Sequence, residues 1–311
     1  MTSSAAPTVS IGLPVYNGER YLEEALDSLL SQTYTDFEII LSDNASTDRT
    51  AEICRTYADR DDRIRYVRAE DNLGGTWNFN HVVELARGRY FRWAAHDDVV
   101  APTYLERCVA VLDSDPRVAI CHTEVEEIDA DGISEGVYQG PPARREDSRP
   151  WIRFHDAALW PGRNHLIFSV IRRELLDRIP PYGAHANADG VLLARLSLLG
   201  TFVTVDETLQ LMRVHQTQAT SAYVSAQGAI DYRAWRDWIY GAGATRRRFE
   251  LPYWRIWAEH ARSIVVVRGV NPLDRVRCTP TVVAWAWSRK GRMRRDLSTL
   301  IRSLVASVTS R

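Results

Sequence analysis

The sequence predicts an α/β fold built on a mostly parallel sheet, and three observations support this prediction. Short apolar runs alternate with longer segments of helical periodicity over the first 130 residues. The connections between them are short, which favours parallel strands joined by right-handed crossovers, with helices on both faces of the sheet. At 311 residues with 45% hydrophobic composition, the chain can bury one large core or two modest ones.

The individual elements follow from the apolar periodicity. The expected strands are residues 9–15, 37–41, 64–67, 90–94 and 118–122, all parallel, and the expected helices are residues 19–30, 48–57, 77–86 and 102–112. Residues 136–150 are rich in Gly, Pro and charge, and they predict a mobile loop or linker. Beyond it we expect an apolar run at 166–171, helices at 173–179 and 190–199, a strand at 202–205, and a helical region from about residue 229.

Charge and cysteine content exclude several classes of protein. The formal net charge is -1, so no global field attracts nucleic acid, and we expect no nucleic-acid partner. The cysteines lack metal-binding or redox spacing and are expected to be reduced and mostly buried, which favours a cytoplasmic protein; they are Cys54, Cys108, Cys121 and Cys278. No signal-peptide pattern and no run of about 18 apolar residues are present, so we expect no membrane span.

Polar residues follow three of the predicted strands. Tyr16 and Asn17 come after the first strand, Asp43 after the second, and Asp97 and Asp98 after the fourth. Because ligands of open α/β sheets bind beyond the carboxyl ends of the strands, we expect these side chains to line one crevice.

Six motifs resemble, in order and spacing, the family 2 glycosyltransferases of the GT-A fold. They are PVYNGERYLEEALDSLLSQTY, EIILSDNASTDRT, NLGG, AAHDD, ADGVLL and MRVH, and they span roughly residues 8–220. The resemblance implies a Rossmann-like nucleotide-diphospho-sugar transferase. Residues 1–225 would form the catalytic domain, with a nucleotide-binding half at 8–130 and an acceptor half at 150–220, and residues 226–311 a helical C-terminal region.

The activity that the resemblance implies is inverting transfer of a hexosyl or related sugar from a nucleotide-diphosphate donor to an acceptor hydroxyl. A UDP-sugar is favoured, with GDP- and dTDP-sugars as alternatives. The acceptor would be a carbohydrate, a lipid-linked molecule or a small molecule, in the synthesis of cell-surface polysaccharide, glycolipid or glycoconjugate. Two rival interpretations are a nucleotidyltransferase and a catalytically silent nucleotide-sugar-binding protein.

The departing diphosphate needs positive charge, and Lys290 is the only lysine in the chain. A divalent cation, Mn2+ or Mg2+, supplies that charge and shares its oxygen ligands with phosphates. By resemblance Asp98 is a metal ligand, and Asp97 lies near the ribose or a metal-bound water. The alternative for Asp98 is an N-cap of the helix that begins near Pro102.

The MRVH motif supplies the second predicted metal ligand, His215, and an assisting cation for the diphosphate, Arg213. The alternative for His215 is a lone surface histidine. His96 stands where the family often has an acidic residue. Its ring would either line the diphosphate site or simply pack against other side chains.

The resemblance also assigns a set of residues to the nucleotide, namely Pro14, Tyr16, Asn17, Asp43, Asn72 and Gly75. Asp43 would accept the imide N–H of a uracil-like base, and Tyr16 would stack on the base. The alternatives are an Asx turn for Asp43, a core position for Tyr16, and a plain turn for the NLGG motif.

Asp189 is the catalytic base that the resemblance implies, in a motif where Ala188 replaces the first member of the usual acidic pair. The alternative is an N-cap of the following helix. Candidate acceptor residues without assigned roles are Trp151, Trp160, Arg163, Asn164 and His165.

Two further segments have open interpretations. Residues 216–228 are expected either to close over the donor or to be an ordinary connecting loop. The aromatic and basic segment from Trp285 to Arg295 either contacts an anionic membrane, at its inner face for a cytoplasmic protein, or packs on the catalytic domain or on another subunit of a homo-oligomer.

Overall fold

A computed structural model describes residues 6–140, 143–160, 162–216, 232–241 and 251–309 of the chain. Strands β1 to β9 are Val9–Val15, Phe37–Asp43, Ile64–Arg68, Tyr90–Trp93, Val99–Val100, Val118–Ile128, Ser134–Val137, Val170–Arg172 and Thr201–Arg213. Helices α1 to α10 are Leu22–Leu30, Thr50–Ala58, Gly75–Leu85, Tyr104–Ser114, Pro150–Leu159, Ala188–Ser197, Tyr232–Tyr240, Pro252–Val266, Pro272–Ser288 and Lys290–Thr309. Short 3-10 helices lie at His165–Phe168 and Arg173–Arg178. Residues 217–228 of the expected donor loop lie outside the described residues.

The chain divides into two compact units. The first comprises residues 1–140, 165–177 and 202–244 and carries the sheet. The second comprises residues 141–164, 178–201 and 245–311 and carries α5, α6 and α8 to α10. The boundary expected near residue 225 stays a prediction.

The sheet has the strand order β3-β2-β1-β4-β8-β6-β9-β5, and β7 pairs with β6. Strand β1 is parallel to both β2 and β4, and β2 is parallel to β3. Strand β8 is antiparallel to β4 and β6, and β5 is antiparallel to β9. The predicted α/β class, with parallel strands in the expected nucleotide-binding half and a helical C-terminal region, is confirmed.

Three local expectations are corrected. Strand β6 pairs with the antiparallel β8 rather than directly with the parallel β4, because a segment from much later in the chain inserts between them. Residues 173–178 form a 3-10 helix instead of an α-helix. Strand β7 occupies the start of the expected loop at 136–150, where it pairs with β6.

Strand β1 is buried on both faces of the sheet. Val9, Ile11 and Leu13 are fully buried in the core that includes residues of α1, α2 and α4. On the opposite face Gly12 lies against α3, where a β-carbon would come within 2.7 Å of Val82. Strand β1 is thus a central parallel strand covered on both sides.

The cysteines are core residues, as predicted. All four are free and buried. Burial raises the pKa of Cys54 and of Cys278 to about 12, so these two thiols are protonated and unreactive near neutral pH. Within the described ranges, no helix combines the length and apolarity needed to cross a bilayer.

Asn78 of α3 ties together the ends of β1 and β2 beneath the predicted nucleotide site. Its amide nitrogen donates to the Val15 carbonyl at 3.3 Å and to the Ser42 carbonyl at 3.0 Å. Its amide oxygen accepts the Ser42 hydroxyl at 2.6 Å. The side chain is 3% exposed, so these bonds fix where two strand ends stop relative to each other.

Replacing this amide should destabilise the fold. Asn78→Ala is expected to lower the free energy of unfolding by about 2 kcal/mol, because buried carbonyls lose their donor. Asn80→Ala removes a donor to the Thr76 carbonyl of the same helix and is expected to cost less than about 1 kcal/mol. Urea unfolding of the two variants measures the difference, and equal losses would contradict the prediction.

Candidate functional site

The loop after β1 is held against the loop after β2. Asn17 has a left-handed backbone conformation with φ of 52°, and its side-chain oxygen accepts the backbone N–H of Thr47 at 2.8 Å. The N–H of Asn17 donates to the Ser46 hydroxyl at 2.9 Å. Tyr16, just before this turn, is 44% exposed, so the core alternative for Tyr16 is wrong. Pro14 lies beside Ser42 in the β1–β2 register.

Asp43 ends β2 with a fully buried carboxylate. One oxygen accepts the backbone N–H of Ser46 at 2.8 Å. This bond closes the loop, so the turn that was the alternative role for Asp43 is present. The other oxygen accepts Arg68 Nη1 at 2.6 Å and the Tyr66 hydroxyl at 3.1 Å. The carboxylate therefore has a fixed orientation and a charged partner, while its contact with a base stays a prediction.

The NLGG motif forms the turn that leads into α3. Asn72 Oδ1 accepts the N–H of Gly74 and the side-chain amide of Asn44, each at 2.9 Å. Gly74 has φ of 87°, which favours glycine. A β-carbon on Gly75 would come within 2.8 Å of the Trp238 indole. The NLGG motif thus forms the turn that was its alternative role. The nucleotide contacts of Asn72 and Gly75 stay predictions.

The ends of β4 and β9 bring four predicted residues together. His215 Nε2 lies 2.9 Å from Asp97 Oδ2, and the backbone N–H of Arg213 donates to Asp98 Oδ1 at 3.0 Å. The His215 side chain is 5% exposed, so the surface alternative for it is wrong. The N-cap alternative for Asp98 is also wrong, because α4 begins at Tyr104 after the cap residue Thr103.

The two adjacent carboxylates have opposite pKa shifts. Burial would raise the pKa of Asp97, but the hydrogen bond with His215 and the charges of His96 and His215 outweigh it and lower that pKa. Burial and the neighbouring Asp97 charge raise the pKa of Asp98. The two pKa values move apart because the direct hydrogen bond with His215 favours the charged form of Asp97, whereas at Asp98 burial and the Asp97 charge outweigh the charges of Arg92 and Arg213.

The Arg213 guanidinium holds several segments of the first unit in place. It donates to Glu24 Oε2 at 2.7 Å, to the Asp97 carbonyl at 3.0 Å and to the Asp129 carbonyl at 3.3 Å. It also lies 4.5 Å from the ring centroid of Tyr21. Its side chain is 2% exposed. These contacts make it a positioning residue, and contact with a diphosphate stays a prediction.

The donor set suits a hard divalent cation that shares its shell with a substrate. Among the described residues, no group of three or more His, Cys, Asp and Glu side chains is arranged to hold a metal alone. Asp97, Asp98 and His215 nevertheless place carboxylate oxygens and an imidazole at one strand end. Cations such as Mg2+ and Mn2+ take one or two protein carboxylates and complete their shell with phosphate and water.

His96 packs against the turn after β1. A β-carbon on Gly18 would come within 2.6 Å of the His96 ring and 2.7 Å of Val15. The packing role predicted as one alternative for His96 is thus present, since its ring fills the space that Gly18 leaves open.

Asp189 belongs to the second unit and lies in the first turn of α6. The N-cap alternative for it is wrong, because Asn187, with φ of 55°, is the residue before the helix. The Tyr182 hydroxyl donates to Asp189 Oδ1 at 2.6 Å. Burial raises the pKa of this half-buried carboxyl, and the Tyr182 hydrogen bond opposes the rise.

The candidate acceptor residues are divided between the two units. In the second unit Trp160 Nε1 donates to the Arg163 carbonyl at 3.1 Å, and Asn164 donates to the Asn187 side chain at 3.0 Å. Trp151 lies in the same unit, whereas His165 belongs to the first unit. Their roles stay predictions.

Sequence reasoning missed several residues that shape the site, namely Gly18, Tyr66, Arg68, Asn78 and Tyr182. Tyr66 and Arg68 stand at alternate positions of β3, and both contact Asp43. That alternation beside an acidic strand end was a usable signal, because residues two apart share one face of a strand. Tyr182 has no such signal.

The family model described as Glycosyl transferase family 2 matches residues 10–179. The chain belongs to this family. An uncharacterized glycosyltransferase of Rickettsia felis is 37% identical over 131 residues, which are 41% of this chain and 21% of that protein. The putative glycosyltransferase EpsE of Bacillus subtilis is 35% identical over 131 residues, 42% of this chain and 47% of that protein. The matched region of this family 2 chain is thus less than half the length of these relatives.

Solved structures share the fold of this family 2 chain. S. aureus TarS 1–349 in complex with UDP-GlcNAc has a TM-score of 0.64 at 15% identity, covering 95% of this chain and 81% of that one. The mannosyltransferase PcManGT from Pyrobaculum calidifontis, in complex with GDP-Man and Mn2+, has a TM-score of 0.55 at 19% identity, covering 99% and 77%. At these identities the likeness shows the fold alone, and it confirms the predicted fold class.

The importance of the Arg213 contacts can be measured by a charge-conserving change. Arg213→Lys is expected to lower the free energy of unfolding by about 2 kcal/mol, because an ammonium cannot reproduce the planar set of buried hydrogen bonds. The matched control Arg107→Lys alters an exposed pair with Glu207 and is expected to cost less than about 0.5 kcal/mol. Urea unfolding distinguishes them, and a loss for Arg213→Lys no larger than the control's would refute the positioning role.

Proposed function

We propose that the chain is an inverting, metal-dependent glycosyltransferase that moves a sugar from a nucleotide-diphosphate donor to an acceptor hydroxyl. The observation that carries this proposal is the meeting of Asp97, Asp98, Arg213 and His215 at the ends of β4 and β9. Membership of family 2 and the shared fold support the reaction class.

The nucleotide is proposed to bind beyond the carboxyl ends of β1 and β2. The exposed ring of Tyr16 offers a stacking face to the base, and Asn17 fixes the backbone beside it. Asp43, whose orientation Arg68 fixes, is the proposed acceptor of the imide N–H of uracil. We therefore favour a UDP-sugar as donor, over the GDP- and dTDP-sugars. Contacts from Pro14, Asn72 and Gly75 are part of the same proposal.

Asp98 and His215 are the proposed ligands of a divalent cation, and Asp97 lies beside them toward the ribose. When bound, Mn2+ or Mg2+ would supply positive charge to the departing diphosphate. Arg213 acts on this group through the protein, because it fixes the Asp97 backbone and the Asp98 carboxylate.

Asp189 is the proposed general base. It would take the proton of the acceptor hydroxyl as the oxygen attacks the anomeric carbon, while the nucleoside diphosphate departs from the opposite face. One base and one displacement give inversion. Tyr182 orients the carboxylate and stabilises its charged form. The acceptor remains a hydroxyl of a carbohydrate, a lipid-linked molecule or a small molecule.

Donor binding is tested by thermal shift with UDP, GDP and dTDP, each with and without Mn2+. We expect UDP with Mn2+ to raise the Tm most, because binding to the folded state stabilises it. Asp98→Asn should abolish the Mn2+-dependent part of this rise, whereas the matched control Asp62→Asn, at an exposed position, should keep it. A chain that no nucleotide stabilises would contradict the proposal.

Catalysis by Asp189 is tested by turnover of the donor in Asp189→Asn. Loss of the base is expected to reduce kcat by about a hundredfold or more while the nucleotide still binds. Unchanged turnover in this variant would exclude Asp189 as the base. No turnover in the wild-type chain, despite nucleotide binding, would instead support the silent binding protein.

The Tyr182 bond makes a separate prediction about pH. In Tyr182→Phe the charged form of Asp189 loses a hydrogen bond, so the pKa of Asp189 rises further. Since the base must be ionised, the acidic limb of the kcat/KM profile should move to higher pH by about one unit. Tyr34→Phe is the control and should leave the limb in place. A limb that does not move in Tyr182→Phe would show that Asp189 is not the group that titrates there.

A further inference from the structure

Helix α9 carries an exposed apolar stripe on the side opposite its buried face. Leu273, Val276, Val283 and Trp287 are 66%, 69%, 64% and 71% exposed. Their spacing of three, seven and four residues keeps them on one helix face. The buried residues of α9, which include Cys278, Val282 and Trp285, lie on its other side, where α9 packs on α5 and α8.

Helix α10 carries a second exposed apolar stripe. Its start is anchored on α8, because Tyr253 N–H donates to Asp296 at 2.8 Å and Trp254 Nε1 donates to the Met293 carbonyl at 3.1 Å. Beyond this anchor Leu297, Ile301 and Val305 are 38%, 60% and 57% exposed. These three residues are four apart and therefore share one face.

The exposed charges of α10 are of one sign. Residues 290–309 contain five exposed basic side chains, namely Lys290, Arg292, Arg294, Arg295 and Arg302. Asp296 is the only acidic residue in this range, and it is buried against α8. Lys290 Nζ lies 3.9 Å from the ring centroid of the exposed Trp287. The chain as a whole has a net charge of -1, so this end is locally cationic.

We propose that the exposed faces of α9 and α10 dock on an anionic lipid bilayer. Trp287 and the aliphatic residues would enter the boundary between head groups and acyl chains, and the basic side chains would pair with lipid phosphates. A second copy of the chain is a poorer occupant, because a symmetric contact would bring the cationic surfaces of two protomers together. The helices would lie in the plane of the interface, which fits the finding that none of the described helices is apolar enough to span a bilayer.

The test is co-sedimentation of the full chain with vesicles. Vesicles of phosphatidylcholine with about one third phosphatidylglycerol should bind the protein, those of phosphatidylcholine alone should not, and added salt should weaken binding. Reversing two charges in Arg294→Glu/Arg295→Glu should reduce the partition coefficient roughly thirtyfold or more. The matched control, Arg60→Glu/Arg65→Glu, reverses two exposed charges in the first unit and should bind like the wild type.

A second variant, Trp287→Ser, tests the apolar contribution and should also weaken vesicle binding. Both surface variants should keep the wild-type Tm and the nucleotide-dependent thermal shift, which separates failure of this proposal from failure of the proposed function. Absence of binding to anionic vesicles, or equal loss in the control, would overturn the proposal. A dimer that Trp287→Ser dissociates in sedimentation equilibrium would show that the face joins two copies, and would overturn it as well.

Discussion

The buried Arg213 guanidinium is the interaction on which the first unit's proposed metal site depends. It joins the end of β9 to Glu24 of α1 and to the backbone at Asp97 and Asp129, while the backbone N–H of Arg213 donates to Asp98. A planar group with five donors can serve several acceptors at once, which an ammonium cannot. Strand β9 comes far later in the chain than β4. One side chain thus fixes the relative positions of segments that are distant in the sequence. The carboxylates then have defined positions before any ligand arrives.

Holding these carboxylates in place before a ligand binds has an electrostatic cost. The groups beside the carboxylates reduce that cost. Two adjacent buried carboxylates repel each other, and the opposed pKa shifts of Asp97 and Asp98 show that repulsion. His215 stabilises the charge on Asp97, and the Arg213 N–H stabilises that on Asp98. The same solution occurs at Asp43, whose buried charge is paired with Arg68. The first unit thus keeps three buried carboxylates at strand ends, each with its own donor.

Local patterns in the sequence predicted the elements but not all the pairings. The runs that became β1 to β4 are short, apolar and separated by helical periodicity, so their parallel order followed from general rules. The insertion of β8 between β4 and β6 depends on a contact between distant segments, which no local pattern contains. Asp97, Asp98 and His215 were predicted from motif order, whereas Asn78 and Tyr182 act through single side-chain bonds that periodicity does not reveal.

The local charge count gives a physical reason for a cation at this site. Asp97, Asp98 and Glu24 carry three negative charges when ionised, and the cationic groups beside them are Arg213, Arg92 and, when protonated, His96 and His215. A diphosphate would add at least two more negative charges to this cluster, in surroundings where burial strengthens repulsion. Lysine is absent from the chain before Lys290, so the described part of the first unit has only arginine and histidine to offset them. We infer that donor and divalent cation bind together, each raising the affinity for the other, because such coupling between two ligands is reciprocal.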